Sequence, residues 1–129
     1  MQVIIFDTNF LLVSYQFRVD IFSEIGRIVE CPYRIIVPSG VVGELMHLRR
    51  NKGRVGRAAN LAITMLHKLN DEGRIKIVES HGEVDKWIFD FAKKESAIVC
   101  TNDILLKRKL LGEGIRIIGL RERSYLALY

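Results

Sequence analysis

Four acidic residues occur at positions where a parallel α/β sheet would bring them together. Asp7 directly follows the apolar run Val3–Phe6, and Asp103 comes shortly after the apolar run Ala97–Cys100. A continuous apolar run that ends in small polar residues indicates a buried parallel strand. The carboxyl ends of parallel strands meet at one edge of the sheet, which is where open α/β sheets bind their ligands. We therefore expect Asp7 and Asp103 to converge if their strands are neighbours.

Two further acids belong to predicted helices near the same edge. Glu44 lies in the second turn of the helix that follows the second strand, and Asp85 lies in the first turn of the helix before the Asp103 strand. Taken singly, each acid is also typical of a turn, a helix cap or a solvated helix face. Glu83 precedes its helix and Asp90 points elsewhere, so neither is included. Together, the four acids predict one shared pocket.

A cluster of carboxylates repels itself, which raises the pKa values of the acids and destabilises the fold. The usual compensation is a hard divalent cation, Mg²⁺ or Mn²⁺, because these ions prefer oxygen ligands. Such ions lower the pKa of bound water, and a pair of them stabilises both the attacking and the leaving oxygen at a phosphodiester. The acids therefore predict metal-assisted phosphodiester hydrolysis. An alternative is a phosphatase with a nucleophilic Asp7, but Asn9 occupies the place where that chemistry usually needs a second acid.

Strands and helices alternate along the rest of the chain. The predicted strands span residues 2–6, 34–38, 76–79, 97–100 and 116–120. Helices are predicted between them, with Asp20 and Ser39 as N-caps and one long helix from Ala58 to Leu69. Residues 121–129 are predicted as a tail. This alternation indicates an α/β protein with three layers, α/β/α, around a central, mostly parallel five-stranded sheet.

Composition predicts one soluble domain over residues 1–129, large enough for a core without disulfides. The chain is 49% hydrophobic and 27% charged, which is ordinary for a globular protein. No apolar run approaches the roughly 20 residues of a membrane span, and no signal peptide is recognisable. Cys31 and Cys100 offer neither a disulfide framework nor zinc spacing. We therefore expect a cytoplasmic location and no membrane partner.

The net charge of +5 comes from 20 basic and 15 acidic residues, and without the four candidate ligands the balance is 20 against 11. The basic residues cluster directly after the Glu44 helix and after Asp103. A charge run alone is typical of a solvated surface, but an acidic centre with a basic rim suits a phosphate backbone. The candidates for contact with nucleic acid are Arg49, Arg50, Lys52, Arg54, Arg57 and Lys107.

In this order and spacing, the motifs resemble a PIN domain, a family of metal-dependent ribonucleases. The matching segments are Val3–Asn9, Val37–Leu45, Asp85 and Ile98–Asp103, and the resemblance covers nearly the whole chain. It implies a sheet of five parallel strands and Mg²⁺ or Mn²⁺ held by four catalytic acids, Asp7, Glu44, Asp85 and Asp103. It also implies supporting or substrate-contacting roles for four polar residues, Thr8, Asn9, Thr101 and Asn102.

Within that family, Gly53–Leu69 and Arg116–Leu126 are similar to archaeal members related to ribosomal-RNA-processing nucleases. The resemblance therefore implies an RNA substrate and a role in RNA processing, with a ribonucleoprotein partner or a homodimer. One alternative is the toxin ribonuclease of a toxin–antitoxin pair, with a protein antitoxin as partner. Another is a PIN module that binds RNA or protein without cutting. Leu105 keeps that alternative open, because many PIN proteins have a further acid or polar residue at this position.

Overall fold

The computed structural model describes residues 1–129, which form six strands and six helices. The strands are β1 (Gln2–Phe6), β2 (Tyr33–Pro38), β3 (Lys76–Val78), β4 (Ile98–Cys100), β5 (Ile117–Arg121) and β6 (Tyr125–Leu128). The helices are α1 (Thr8–Gln16), α2 (Ile21–Ile28), α3 (Ser39–Leu48), α4 (Arg54–Asp71), α5 (Val84–Glu95) and α6 (Ile104–Gly112). No helix is both long enough and apolar enough to cross a membrane.

The sheet has the strand order β3-β2-β1-β4-β5-β6, with β1 to β5 parallel. Strand β1 lies centrally, where Ile4 pairs with Ile35 of β2 and Ile5 pairs with Val99 of β4. Its apolar run is fully buried, since Ile4 and Ile5 are 0% exposed, as a strand covered on both faces requires. The predicted α/β class with a mostly parallel central sheet is confirmed, and the Asp7 and Asp103 strands are neighbours.

The sheet has a sixth strand that the sequence analysis assigned to the tail. Strand β6 pairs antiparallel with β5, in a register that sets Leu120 opposite Leu126. Helix α2 fixes it from the side, because Glu24 accepts a hydrogen bond from the Leu126 N–H and Arg27 donates one to the Leu126 carbonyl, both at 3.0 Å. Leu126 itself is 1% exposed. Burial of one leucine and these contacts from a distant helix explain why a short segment becomes a strand.

The two predicted helix caps differ in outcome. Asp20 caps α2 as expected, since its carboxylate accepts from the Ser23 N–H at 3.1 Å. The assignment of Ser39 was wrong, because the N-cap of α3 is Pro38, which makes no capping hydrogen bond. The cap comes from Ser80, whose hydroxyl accepts from the Gly40 N–H at 2.8 Å, and Ser39 accepts in turn from the Ser80 N–H at 2.9 Å. These bonds anchor the segment before α5 to the start of α3.

Candidate active site

All four candidate acids line one cleft of about 750 Å³ at the carboxyl edge of the sheet. Asp7 follows β1 and caps α1, Glu44 lies on α3, and Asp85 lies in the first turn of α5. Asp103 follows β4 and caps α6, accepting from the Leu106 N–H at 3.0 Å. The parallel sheet brings the acids together, because β1 and β4 are neighbours and both end at this edge.

Asp7 is the most buried of the four acids, with only 3% of its surface exposed. One carboxylate oxygen accepts from the Phe10 N–H at 2.7 Å, and the other accepts from the hydroxyl of buried Thr101. The pKa of Asp7 is raised to about 7, mainly by burial and to a smaller extent by the negative charges of Asp85 and Asp103, while the hydrogen bonds from Thr101 and Phe10 oppose this shift. Asp7 is therefore only partly ionised near neutral pH, and a cation beside it would favour the charged form.

Asp85 shows the same mutual repulsion at the cleft surface. Partial burial raises its pKa above the ordinary value, and the charges of Asp103, Glu44 and Glu83 add to the effect. Lys109 acts in the opposite direction. The neighbouring carboxylates therefore raise the pKa of Asp85, and Lys109 offsets only part of this effect.

The chemistry of the donors fits a hard divalent cation, since all four side chains offer carboxylate oxygens. The four carboxylates are nevertheless too far apart to share one ion as they stand. The structure contains no group of three or more His, Cys, Asp or Glu side chains that could hold one metal ion. Hydrogen bonds hold two of the four carboxylates in their present positions. Asp7 is held by Phe10 and Thr101, and Glu44 accepts from the hydroxyl of Thr8. The carboxylates would have to move closer to share one ion.

The four polar residues implied by the resemblance have different positions. Thr8 and Asn9 line the cleft, and Thr8 donates to Glu44. Thr101 is fully buried behind Asp7, to which it donates. Asn102 faces β5, where it accepts from the Leu120 N–H at 2.9 Å and donates to the Leu120 carbonyl at 3.3 Å. Three of the four therefore position other groups, and only Asn9 makes no side-chain hydrogen bond.

The predicted cationic rim does not line the cleft. The sequence analysis began this helix at Ala58, but α4 begins at Arg54 and therefore contains both Arg54 and Arg57. Lys107 is half-buried, with its ammonium 3.9 Å from the centroid of the Tyr129 ring. The other predicted cations are exposed and follow α3, whose last turn contributes to the cleft wall: Arg49, Arg50 and Lys52.

Several residues that the sequence analysis did not select also line the cleft, among them Gly40, His47 and Glu83. Gly40 permits the starts of α3 and α5 to approach, since an added β-carbon would lie 2.8 Å from a methyl group of Val84. A glycine two residues after a strand was the only sequence indication of this contact. Leu105, at the position that the resemblance associates with a further acid or polar residue, is 78% exposed and lies outside the cleft lining.

Comparison with known proteins agrees with this geometry. Residues 4–123 match the family model described as a PIN like domain. Ribonuclease VapC4 of Methanocaldococcus jannaschii is 30% identical over 134 residues, covering 100% of this chain and 98% of the relative. Ribonuclease VapC9 of Archaeoglobus fulgidus is 30% identical over 118 residues, covering 90% of this chain and 81% of the relative.

Among solved structures, that of the PIN domain endonuclease Utp24 superposes with a TM-score of 0.76 at 21% identity. The alignment covers 98% of this chain and 90% of that chain, so the likeness extends over the whole fold. The family model matches nearly the full length, from β1 to the β5–β6 turn. This chain therefore belongs to the PIN-like domain family.

Proposed function

We propose that this protein is a ribonuclease that hydrolyses RNA phosphodiester bonds with the help of Mg²⁺ or Mn²⁺. The observation that carries the proposal is the convergence of Asp7, Glu44, Asp85 and Asp103 on one cleft of a PIN-like domain. Two relatives that are 30% identical over most of the chain are ribonucleases by name. Four oxygen-donor side chains are the ligand type that suits these cations.

In this proposal the four acids hold the cation, which supplies charge stabilisation and an activated water at the scissile phosphate when it is bound. The chain's own groups orient the acids. The Phe10 N–H and the Thr101 hydroxyl fix both oxygens of Asp7, and Thr8 fixes Glu44. Asn9 is exposed in the cleft without a side-chain partner, so its amide is free to contact the RNA.

The test is RNA cleavage with Mn²⁺ or Mg²⁺, with EDTA, and in matched variants of α5. Asp85→Asn removes a carboxylate that lines the cleft, whereas Asp90→Asn removes one on the same helix that pairs with Lys86 at 3.1 Å. We expect cleavage that needs the cation and persists in Asp90→Asn. In Asp85→Asn it should fall by at least the roughly 10- to 100-fold that is lost when a group that only orients a metal ligand is removed. Cleavage in EDTA, or equal activity in the two variants, would contradict the proposal.

We place this activity in RNA processing, on the similarity of Gly53–Leu69 and Arg116–Leu126 to archaeal family members. The two VapC relatives favour a second setting, the toxin ribonuclease of a toxin–antitoxin pair. Expression of the chain in a host cell separates the two, because a toxin arrests growth until a protein antitoxin is supplied. Retained RNA binding without any binding of Mn²⁺ would instead identify a module that does not cut.

A further inference from the structure

Six residues from separate parts of the chain form two clusters of cations over aromatic rings, which the β5–β6 turn joins and which we together call the hairpin strip. Its members are Lys107, Tyr129, Arg121, Arg123, Phe17 and Arg54. Lys107 and Arg121 lie over the Tyr129 ring, at 3.9 and 5.8 Å from its centroid. Arg123 and Arg54 lie over the Phe17 ring, at 5.0 and 5.8 Å. Arg121 and Arg123 join the two groups through the β5–β6 turn.

The charges of the hairpin strip are held in place without being neutralised. None of its four cations belongs to any salt bridge of the structure. Aromatic faces attract cations and restrict their motion, but they carry no net charge. The cations are therefore ordered and remain available to an external anion, unlike Arg27, which is paired with Glu24 at 3.1 Å.

The β5–β6 turn has an unusual backbone for its sequence. Glu122 and Arg123 both adopt left-handed conformations, with φ of 52° and 57°. Turns with two consecutive left-handed residues favour Asn-Gly or Asp-Gly, because a β-carbon is disfavoured in that conformation. Strained residues of this type concentrate at functional sites. Here the strained position bears the guanidinium that lies over Phe17.

The hairpin strip begins at the candidate active site. Arg121 ends β5, the strand beside β4, and neighbouring strands lie roughly 4.8 Å apart. Lys107 is one helical turn from Asp103, since its N–H donates to the Asp103 carbonyl at 2.9 Å. At the other end, Arg54 opens α4 directly after the basic connection 49–53. The strip therefore leads from the acid cleft to the exposed cations that follow α3.

We propose that the hairpin strip binds the phosphate backbone of the RNA on one side of the scissile bond. This inference rests on the proposed function, which supplies the RNA substrate. Four cations without carboxylate partners suit the phosphates of an RNA backbone. Because they lie to one side of the four carboxylates, they would bind the part of the strand on that side of the scissile bond. The contacts read no sequence, because they engage the backbone alone.

The test measures RNA binding separately from cleavage. Labelled oligouridine is titrated with the protein in EDTA, and binding is followed by fluorescence anisotropy at several salt concentrations. We expect Arg121→Ala/Arg123→Ala to weaken binding roughly ten- to thirty-fold at about 0.1 M salt and to reduce the salt slope by about 1.4, since each phosphate contact on a single strand contributes about 0.7. A charge-matched control is Arg34→Ala/Arg116→Ala, at the amino edge of the sheet, which should bind within about two-fold of the wild type.

Two further variants make the outcome independent of folding in the turn. Arg121→Lys/Arg123→Lys keeps the charge and should keep most of the affinity and the salt slope. Arg54→Ala, on a different element, should reduce the slope by about 0.7. The inference would be overturned if Arg121→Ala/Arg123→Ala and the control Arg34→Ala/Arg116→Ala lost equal affinity for the RNA. It would also be overturned if the salt slope were unchanged in both Arg121→Ala/Arg123→Ala and Arg54→Ala.

The same samples, assayed with Mn²⁺, distinguish this inference from the ribonuclease proposal. Cleavage by the wild type with no effect of the strip variants on binding would overturn the strip alone. Strip-dependent binding without any cleavage would overturn the ribonuclease proposal and leave the strip as an RNA-binding surface. Equal displacement of the RNA by poly-glutamate would show that the strip accepts acidic protein chains, and would overturn RNA as its occupant.

Discussion

Replacing Asp7 by asparagine should stabilise the metal-free protein above neutral pH while abolishing RNA cleavage. Burial raises the pKa of Asp7 from 3.8 to about 7. A shift of about 3 pKa units corresponds to about 4 kcal/mol, at 1.36 kcal/mol per unit, as the free-energy cost of holding the ionised carboxylate in the folded state. Asparagine has nearly the same shape and carries no charge, so it avoids this cost.

The sign follows from proton binding. Between pH 4 and pH 7 the folded wild type keeps the proton on Asp7, whereas the unfolded chain has lost it, so the wild type loses stability as the pH rises through this range and then levels off. Asparagine can keep both hydrogen bonds, by accepting from the Phe10 N–H and donating to the Thr101 hydroxyl. The stability difference between Asp7→Asn and the wild type should therefore be near zero at pH 4 and grow to at most about 4 kcal/mol at pH 8.

Urea unfolding in EDTA at pH 4 to 8 measures this difference, and Asp90→Asn controls for the loss of an exposed acid. Mn²⁺ should then stabilise the wild type above pH 7, by about 2.7 kcal/mol at one hundred times its dissociation constant, and should stabilise Asp7→Asn less. The reasoning is refuted if Asp7→Asn is less stable than the wild type at pH 8, or if the difference between them does not change with pH.

Two other changes test how the cleft is built. Gly40→Ala should lower the free energy of unfolding in urea by about 1–3 kcal/mol and slow cleavage, because its β-carbon would lie 2.8 Å from Val84. Gly43→Ala lies on the same helix with nothing within 4 Å of the added β-carbon, and it should raise the free energy of unfolding by about 0.5–1 kcal/mol. Equal stabilities would show that the close approach at Gly40 is unimportant. Asn102→Ala should lower the free energy of unfolding by about 1–2 kcal/mol and lower the melting temperature, since it removes both hydrogen bonds to Leu120. An unchanged melting temperature would show that these bonds do not stabilise the fold.

The central strands could be predicted from sequence because burial on both faces leaves continuous apolar runs, as in β1 and β4. Strand β6 could not, since its turn contains Glu122 and Arg123 in place of the glycine or asparagine that identifies such a hairpin. The contacts that fix β6 come from α2, about a hundred residues earlier in the chain. The cap of α3 was missed for the same reason, because Ser80 belongs to a different segment from the helix it caps.

At the site, strand ends and helix starts were enough to predict which acids face the same edge. The orientation of the polar neighbours was not predictable, because it depends on tertiary partners, as when Asn102 faces β5 instead of the cleft. Glu83 was excluded on its position before α5, yet it lines the cleft and contributes to the raised pKa of Asp85. The hairpin strip could not be predicted from the sequence either, since Phe17, Arg54 and Arg123 come into contact only in the folded chain.

The central claim is that the four carboxylates exist to hold a divalent cation, and a crystal soaked in Mn²⁺ tests it most directly. Anomalous diffraction locates the ion independently of any assay of activity. We predict a peak in the cleft, coordinated by at least two of Asp7, Glu44, Asp85 and Asp103, that is present in Asp90→Asn crystals and weakened in Asp85→Asn crystals. The absence of a peak among these carboxylates in the wild type, or a peak only elsewhere on the protein, would contradict the account.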